Sequence, residues 1–160
     1  MMRSILFVCT ANICRSPMAE GVLRKLLASA GREADFEIDS AGTHDYHVGK
    51  PPFKAAMEHA ARRGYQISHL VARRVSPQDF DHFDAILAMD RANVGSLRTI
   101  APTRCKNKIE LLLDYGDLHY GKDVPDPYNR EAKDFELALD MIEDGCRGLA
   151  SFVTRSAAVR

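Results

Sequence analysis

Cys9-Thr10-Ala11-Asn12-Ile13-Cys14-Arg15-Ser16-Pro17 is the stretch whose reading settles the fold. Before it runs Ile5-Leu6-Phe7-Val8, four apolar residues without alternation, which predicts a parallel strand buried on both faces. After it the apolar spacing turns helical. Ala19, Val22, Leu23, Leu26, Leu27 and Ala30 follow an i, i+3, i+4, i+7 rhythm, and Gly31 supplies a stop. Ser16 is expected as the N-cap of that helix and Pro17 as its first residue. A cysteine thus ends a strand, an arginine opens a helix, and a short loop joins them. If the loop N–H groups turn inward they form an anion nest, reinforced by the helix dipole. Such donors favour the thiolate form of a cysteine held over them.

The remaining chain continues the alternation. Phe36-Glu37-Ile38-Asp39-Ser40-Ala41 predicts a short strand, and residues 53–63 a helix with Phe53, Ala56, Met57 and Ala60 on one face. Residues 84–89 read as a buried strand, after which Asp90 caps a helix that Pro102 ends. Residues 108–113 suit another strand with a helical turn at its end. Phe135, Ala138, Leu139, Ile142, Cys146, Leu149 and Phe152 stripe a last helix. Residues 65–83 carry the weakest pattern, with a helix expected after Ser76-Pro77; residues 42–52 and 115–130 are loops, the second long enough to expect a function. The expected fold is a single-domain α/β structure over residues 1–160. It is a doubly wound sheet of parallel strands with helices on both faces and the phosphate (anion) loop after the first strand. Ligands of such sheets bind at the carboxyl ends of the strands, where Cys9 falls.

Composition narrows the function classes. A chain of 160 residues with 46% hydrophobic and 28% charged residues matches an ordinary globular domain. Lys plus Arg equals Asp plus Glu at 22 each, so bulk charge supports neither a nucleic-acid nor a membrane-surface partner. Arg3 and the run ending at Cys9 loosely imitate a secretory signal, but the run is short and Asn12 and Arg15 interrupt it. No stretch is long enough to span a bilayer. Cys9, Cys14, Cys105 and Cys146 are sparse, which fits reduced thiols and a cytoplasmic location. His44 and His47 flank Asp45, yet no further ligand cluster accompanies them, so neither a metal nor another cofactor is expected.

Val8 to Glu20, VCTANICRSPMAE, resembles the signature of the low-molecular-weight protein tyrosine phosphatases. The resemblance continues through Asp39-Ser40-Ala41-Gly42-Thr43, Pro51-Pro52, Phe83-Asp84 with Met89-Asp90, and Asp126-Pro127-Tyr128, in the family's order and spacing. It implies a metal-free phosphatase acting on phosphotyrosine-containing proteins, a monomer with a weak dimer as the alternative. Cys9 would be the nucleophile that forms a phosphocysteine, and Arg15 a planar fork for two phosphate oxygens. Asp126 would be the general acid, with Asp123 as a nearby rival. Thr10, Ala11, Asn12, Ile13, Cys14 and Ser16 would make up the phosphate-binding loop, supported by Ser40 and by His69. Tyr46, Tyr128 and Asn129 would stand at the substrate cleft, and Cys14 would trap an oxidised Cys9 as a disulfide.

Blander readings exist for each residue taken alone. A cysteine ending a strand can be a small buried hydrophobe, and an Asp-Pro in a loop can be simple turn chemistry. Their joint occurrence favours the catalytic reading. Ile13 goes with phosphotyrosine in the resemblance, whereas threonine there marks related protein arginine phosphatases. An arsenate reductase of the same fold would need two further cysteines close together on a mobile segment, which Cys105 and Cys146 do not provide. A non-catalytic phosphate-binding module would lack a nucleophile or an acid. Three departures stand out. Ala11 replaces a usual glycine and would be strained by about 1–2 kcal/mol if its φ were positive. Asn129 replaces a second aromatic, and residues 69–73 run one residue long.

Overall fold

The apolar run near the N-terminus forms the central strand, β1 (Ser4–Cys9), buried along its whole length. It pairs in parallel with β2 (Glu37–Gly42) on one side and β3 (Ala85–Ala88) on the other. A short β4 (Ile109–Leu111) extends the sheet beyond β3, giving the order β2-β1-β3-β4 with all pairings parallel. The chain leaves β1 for one neighbour and returns to the other. The strand order therefore reverses at the carboxyl end of β1, beside Cys9, where a crevice opens in sheets of this kind. This computed structural model describes residues 1–158, with side chains described through Arg155.

Side chains alternate across the pleat into two apolar layers. Ile5 and Phe7 pack with α1 (Arg15–Ser29), α2 (Lys54–Arg62) and α5 (Ala132–Ala158). Leu6 and Val8 pack with Phe80 of α3 (Pro77–His82) and Leu97 of α4 (Arg91–Ile100). Helices cover both faces, which is why the strand shows an unbroken apolar run rather than alternation. Among the described residues no helix is long and apolar enough to cross a membrane.

Helix boundaries follow local chemistry with one correction. Asp90 caps α4 by accepting the Asn93 N–H at 2.8 Å, and Ser76 and Asp79 form a reciprocal capping box on α3. Gly31, at φ 69°, follows α1 as expected. However, α1 begins at Arg15 with Cys14 as N-cap and no side-chain cap bond. Ser16 is fully buried inside the first turn, and its hydroxyl is drawn to Cys9 instead of to an N-terminal amide.

The long loop after β4 is fastened at both ends. Gly148 of α5 lies so close to the preceding 3₁₀ turn (Leu112–Tyr115) that a Cβ would sit 1.7 Å from the Tyr115 carbonyl oxygen. Asp144, also on α5, accepts the backbone N–H groups of Asp117, Leu118 and His119 at 3.1, 3.3 and 2.9 Å. Burial opposes its charge, but these amides outweigh burial and hold its carboxyl below the ordinary value. Further along, the Val124 N–H donates to the Met89 carbonyl at 2.9 Å, stitching the loop to the carboxyl end of β3. Asp126 follows two residues later.

Candidate active site

A cleft of about 230 Å³ opens at the carboxyl end of β1, lined by Cys9, Thr10, Ala11, Ile13, Cys14, Arg15, Tyr46, His47, Asp126 and Tyr128. Its floor is the loop from Cys9 to Arg15. The carbonyls of Cys9, Thr10 and Ile13 accept the N–H groups of Thr43, His44 and Phe53 at 2.9, 2.9 and 2.8 Å. The outward carbonyls leave the loop's own amides for the cleft, since among the described residues nothing accepts the N–H groups of residues 10–14. That is the geometry of an anion nest. The end of β2 approaches this loop so closely that a Cβ on Gly42 would lie 2.8 Å from the Thr10 carbonyl oxygen.

Asn12 pins the loop. Its φ of 59° is the left-handed conformation that asparagine tolerates, and its amide donates to Ser16 Oγ at 2.8 Å and Ser40 Oγ at 3.0 Å. Asn12 Oδ1 accepts the Arg73 N–H at 3.0 Å. Ser16 Oγ accepts from Asn12, which leaves its own hydrogen to Cys9 Sγ, 3.0 Å away, and to the Ala41 carbonyl at 3.4 Å. Ala11 has no positive φ; Asn12 takes the left-handed position, so replacing glycine by alanine costs no backbone strain.

Arg15 is 2% exposed and held by its guanidinium. Nη1 donates to Asp90 Oδ2 at 2.6 Å and to the Val124 carbonyl at 2.9 Å. Nη2 lies 3.4 Å from Thr10 Oγ1 and 3.7 Å from Asp126 Oδ2, and the buried Nε has no partner. Burial works against its charge, but Cys9, Asp90 and Asp126 outweigh it and keep its pKa above the ordinary value. One face of the fork is thus anchored and the other left for an anion. Thr10 Oγ1 also receives the Asn93 amide at 3.2 Å, so α4 fastens both the loop and, through Asp90, the arginine.

Asp126 is half exposed, with Oδ1 accepting the Tyr128 N–H at 3.2 Å in a tight turn. Asp123 is engaged elsewhere, its carboxylate 2.8 Å from Arg91 Nη1 and outside the cleft lining. Tyr46 stacks on His44 with centroids 4.9 Å apart, and Tyr128 stands edge-on to Phe53 at 5.0 Å. The two tyrosines flank the mouth.

Two site residues are not where the sequence pointed. His69 is exposed, on a turn closed by the Leu70 N–H on the Ile67 carbonyl. Asn129 is exposed, at φ 59°, and lies outside the cleft lining because the left-handed turn directs the chain away. Cys14 lines the cleft as expected, and burial, reinforced by Cys9 and Asp126, pushes its thiol pKa up. The role expected of His69 falls to a residue missed in the sequence, Glu20. It is 2% exposed, accepts the Ser40 hydroxyl at 2.8 Å and pairs with Arg24 at 3.0 Å. The line Glu20–Ser40–Asn12–Ser16–Cys9 connects a buried carboxylate to the thiol. Glu20 sits at a helix position where a solvent-facing residue is the default, so only its place near the loop end could have signalled it.

Burial raises the Glu20 carboxyl pKa above its ordinary value, partly opposed by Ser40 and Arg24. The folded state then holds that proton more tightly than the unfolded chain does. Stability is lost as pH rises from the ordinary carboxyl value through the raised one. Glu20→Gln should flatten that slope in thermal melts across mildly acidic pH. Glu20→Ala, which removes the acceptor of the buried Ser40 hydroxyl, should destabilise by about 1–3 kcal/mol.

Comparison with known proteins shows the family. The sequence pattern described as low molecular weight phosphotyrosine protein phosphatase matches residues 4–159. This chain belongs to that family. The low molecular weight protein-tyrosine-phosphatase YfkJ of Bacillus subtilis (strain 168) is 44% identical over 154 residues, covering 96% of this chain and 97% of the relative. The solved protein tyrosine phosphatase of Entamoeba histolytica, with Hepes in its active site, superposes with a TM-score of 0.92 at 35% identity, covering 97% and 99% of the two chains. Wzb of Vibrio vulnificus, solved with benzylphosphonate, superposes with a TM-score of 0.83 at 29% identity, covering 94% of this chain and 99% of that one. As a low molecular weight phosphatase the chain has the single parallel α/β sheet of its relatives, with the cleft at the strand ends.

Proposed function

We propose that this phosphatase hydrolyses phosphotyrosine in proteins, and small aryl phosphates, through a phosphocysteine on Cys9. The observation that carries the reading is the convergence of Cys9, the buried Arg15 and Asp126 on one cleft between Tyr46 and Tyr128. A phosphoryl group seated on the loop amides meets the free side of the Arg15 fork, which binds its oxygens as charge spreads in the transition state. Cys9 thiolate attacks phosphorus, and the Sγ–P bond forms as the P–O bond to the aryl group breaks. Asp126, protonated, gives its proton to the departing phenolate oxygen. In the second step the Asp126 carboxylate takes a proton from water as that water attacks phosphorus. The Sγ–P bond then breaks, releasing phosphate and restoring the thiolate.

Ile13, 5% exposed in the cleft wall, and the two tyrosines favour an aryl ester over phosphoarginine. Arsenate reduction is disfavoured because Cys105 and Cys146 are buried away from the cleft, Cys146 donating to the Ala19 carbonyl at 3.7 Å. Cys14 is suited to resolve an oxidised Cys9, since it lines the same cleft. We take the working protein as a cytoplasmic monomer needing no cofactor. Asp126→Asn tests the acid. Turnover of substrates with poor leaving groups should fall about 10²–10⁴-fold, and less for good ones, in a leaving-group series. An unchanged dependence on leaving-group pKa would remove Asp126 from the role.

A further inference from the structure

His47 lines the cleft beside Tyr128, with ring centroids 5.9 Å apart, and the chemistry above makes no use of it. Lys50 Nζ lies 3.5 Å from its Nδ1. An ammonium only donates, so Nδ1 accepts and a neutral ring carries its hydrogen on Nε2. The pair therefore offers the rim an N–H donor and, next to it, an exposed positive charge. Among the described residues Lys50 has no carboxylate at ion-pair distance, unlike Lys54, which has Glu58.

This stretch is fixed. The Lys50 N–H donates to the His47 carbonyl at 3.0 Å, and the Gly49 N–H donates to the Ala72 carbonyl at 2.9 Å. The Ala72 N–H in turn donates to the Lys50 carbonyl at 2.9 Å. A peptide whose phosphotyrosine enters between Tyr46 and Tyr128 carries its neighbouring residues past this rim. We propose that His47 and Lys50 select substrates with an acidic residue beside the phosphotyrosine. The proposal rests on phosphotyrosine hydrolysis at this cleft. Of the nearby carboxylates, Asp45 on the same loop opposes the preference, and Asp126 opposes it only when ionised. An exposed rim charge acts mainly on encounter and selection, so the effect is modest, about two- to fivefold per charge.

The test is kcat/KM for phosphotyrosine peptides that differ only in flanking Glu, Ala or Lys, with a small aryl phosphate as reference. The unaltered protein should prefer Glu over Ala over Lys, and added salt should compress the series. Lys50→Glu should reverse the order, and His47→Gln should narrow it. Equal values in the unaltered protein, or the same order in Lys50→Glu, would overturn the proposal while leaving hydrolysis intact. Failure to turn over the reference aryl phosphate would overturn the hydrolysis reading, and this proposal with it.

Discussion

Cys9→Ser is expected to reduce aryl phosphate turnover by about 10⁴-fold or more, equivalent to at least about 5.5 kcal/mol of transition-state stabilisation. A serine hydroxyl is far less nucleophilic than a thiolate. Its neighbour Ser16 Oγ, 3.0 Å from Sγ, is a neutral hydroxyl and no base. The anion nest survives the change, because its donors are the loop amides and Arg15. Vanadate or phosphate should therefore still bind the variant, as read by calorimetry. Loss of both activity and anion binding would mean that the loop had collapsed, and retained turnover would exclude Cys9 as the nucleophile.

Arg15→Lys should damage turnover of every aryl ester, good leaving groups included, lowering kcat about 10²–10³-fold while leaving the Cys9 thiol in place. The guanidinium works as a bracket. Nη1 is fixed on Asp90 and the Val124 carbonyl, which leaves Nε and Nη2 for the phosphate. A lysine ammonium can satisfy Asp90 or reach the anion, but has no planar fork to do both. Arg15→Ala adds a stability defect. It leaves the Asp90 carboxylate, 20% exposed, without its partner in a largely buried setting, at a cost of about 3–5 kcal/mol. Thermal denaturation separates the two variants: Arg15→Lys should melt near the unaltered protein, and Arg15→Ala well below it.

Much of this arrangement was legible because it is local. The unbroken run Ile5 to Val8 announced a strand buried on both faces, and the cysteine-to-arginine spacing placed an anion loop between strand and helix. Asp90 as a cap and Gly31 as a stop follow from the short-range rules of helix ends. What escaped was the choice among competing local roles and contacts across distance. Ser16 has the chemistry of a cap, but a buried thiol beside it competes for the hydroxyl and wins. His69 lies on a turn that exposes it to solvent, and Glu20 from another element supports Ser40. No periodicity reveals a buried glutamate bonded to a serine twenty residues away. Asn129 was placed by its neighbours in sequence, and a single left-handed residue takes it out of the cleft.

The central claim is a covalent bond between Cys9 and the substrate's phosphorus. Asp126→Asn lacks the base for the second step but needs no acid for a good leaving group, so the intermediate should accumulate in that variant. Rapid acid quenching during turnover of an activated aryl phosphate, followed by peptide mass mapping, measures it directly. Phosphate is expected on the Cys9 sulfur, and none in the Cys9→Ser, Asp126→Asn double variant. Phosphate on another side chain, or continued turnover without any phosphoenzyme, would contradict it.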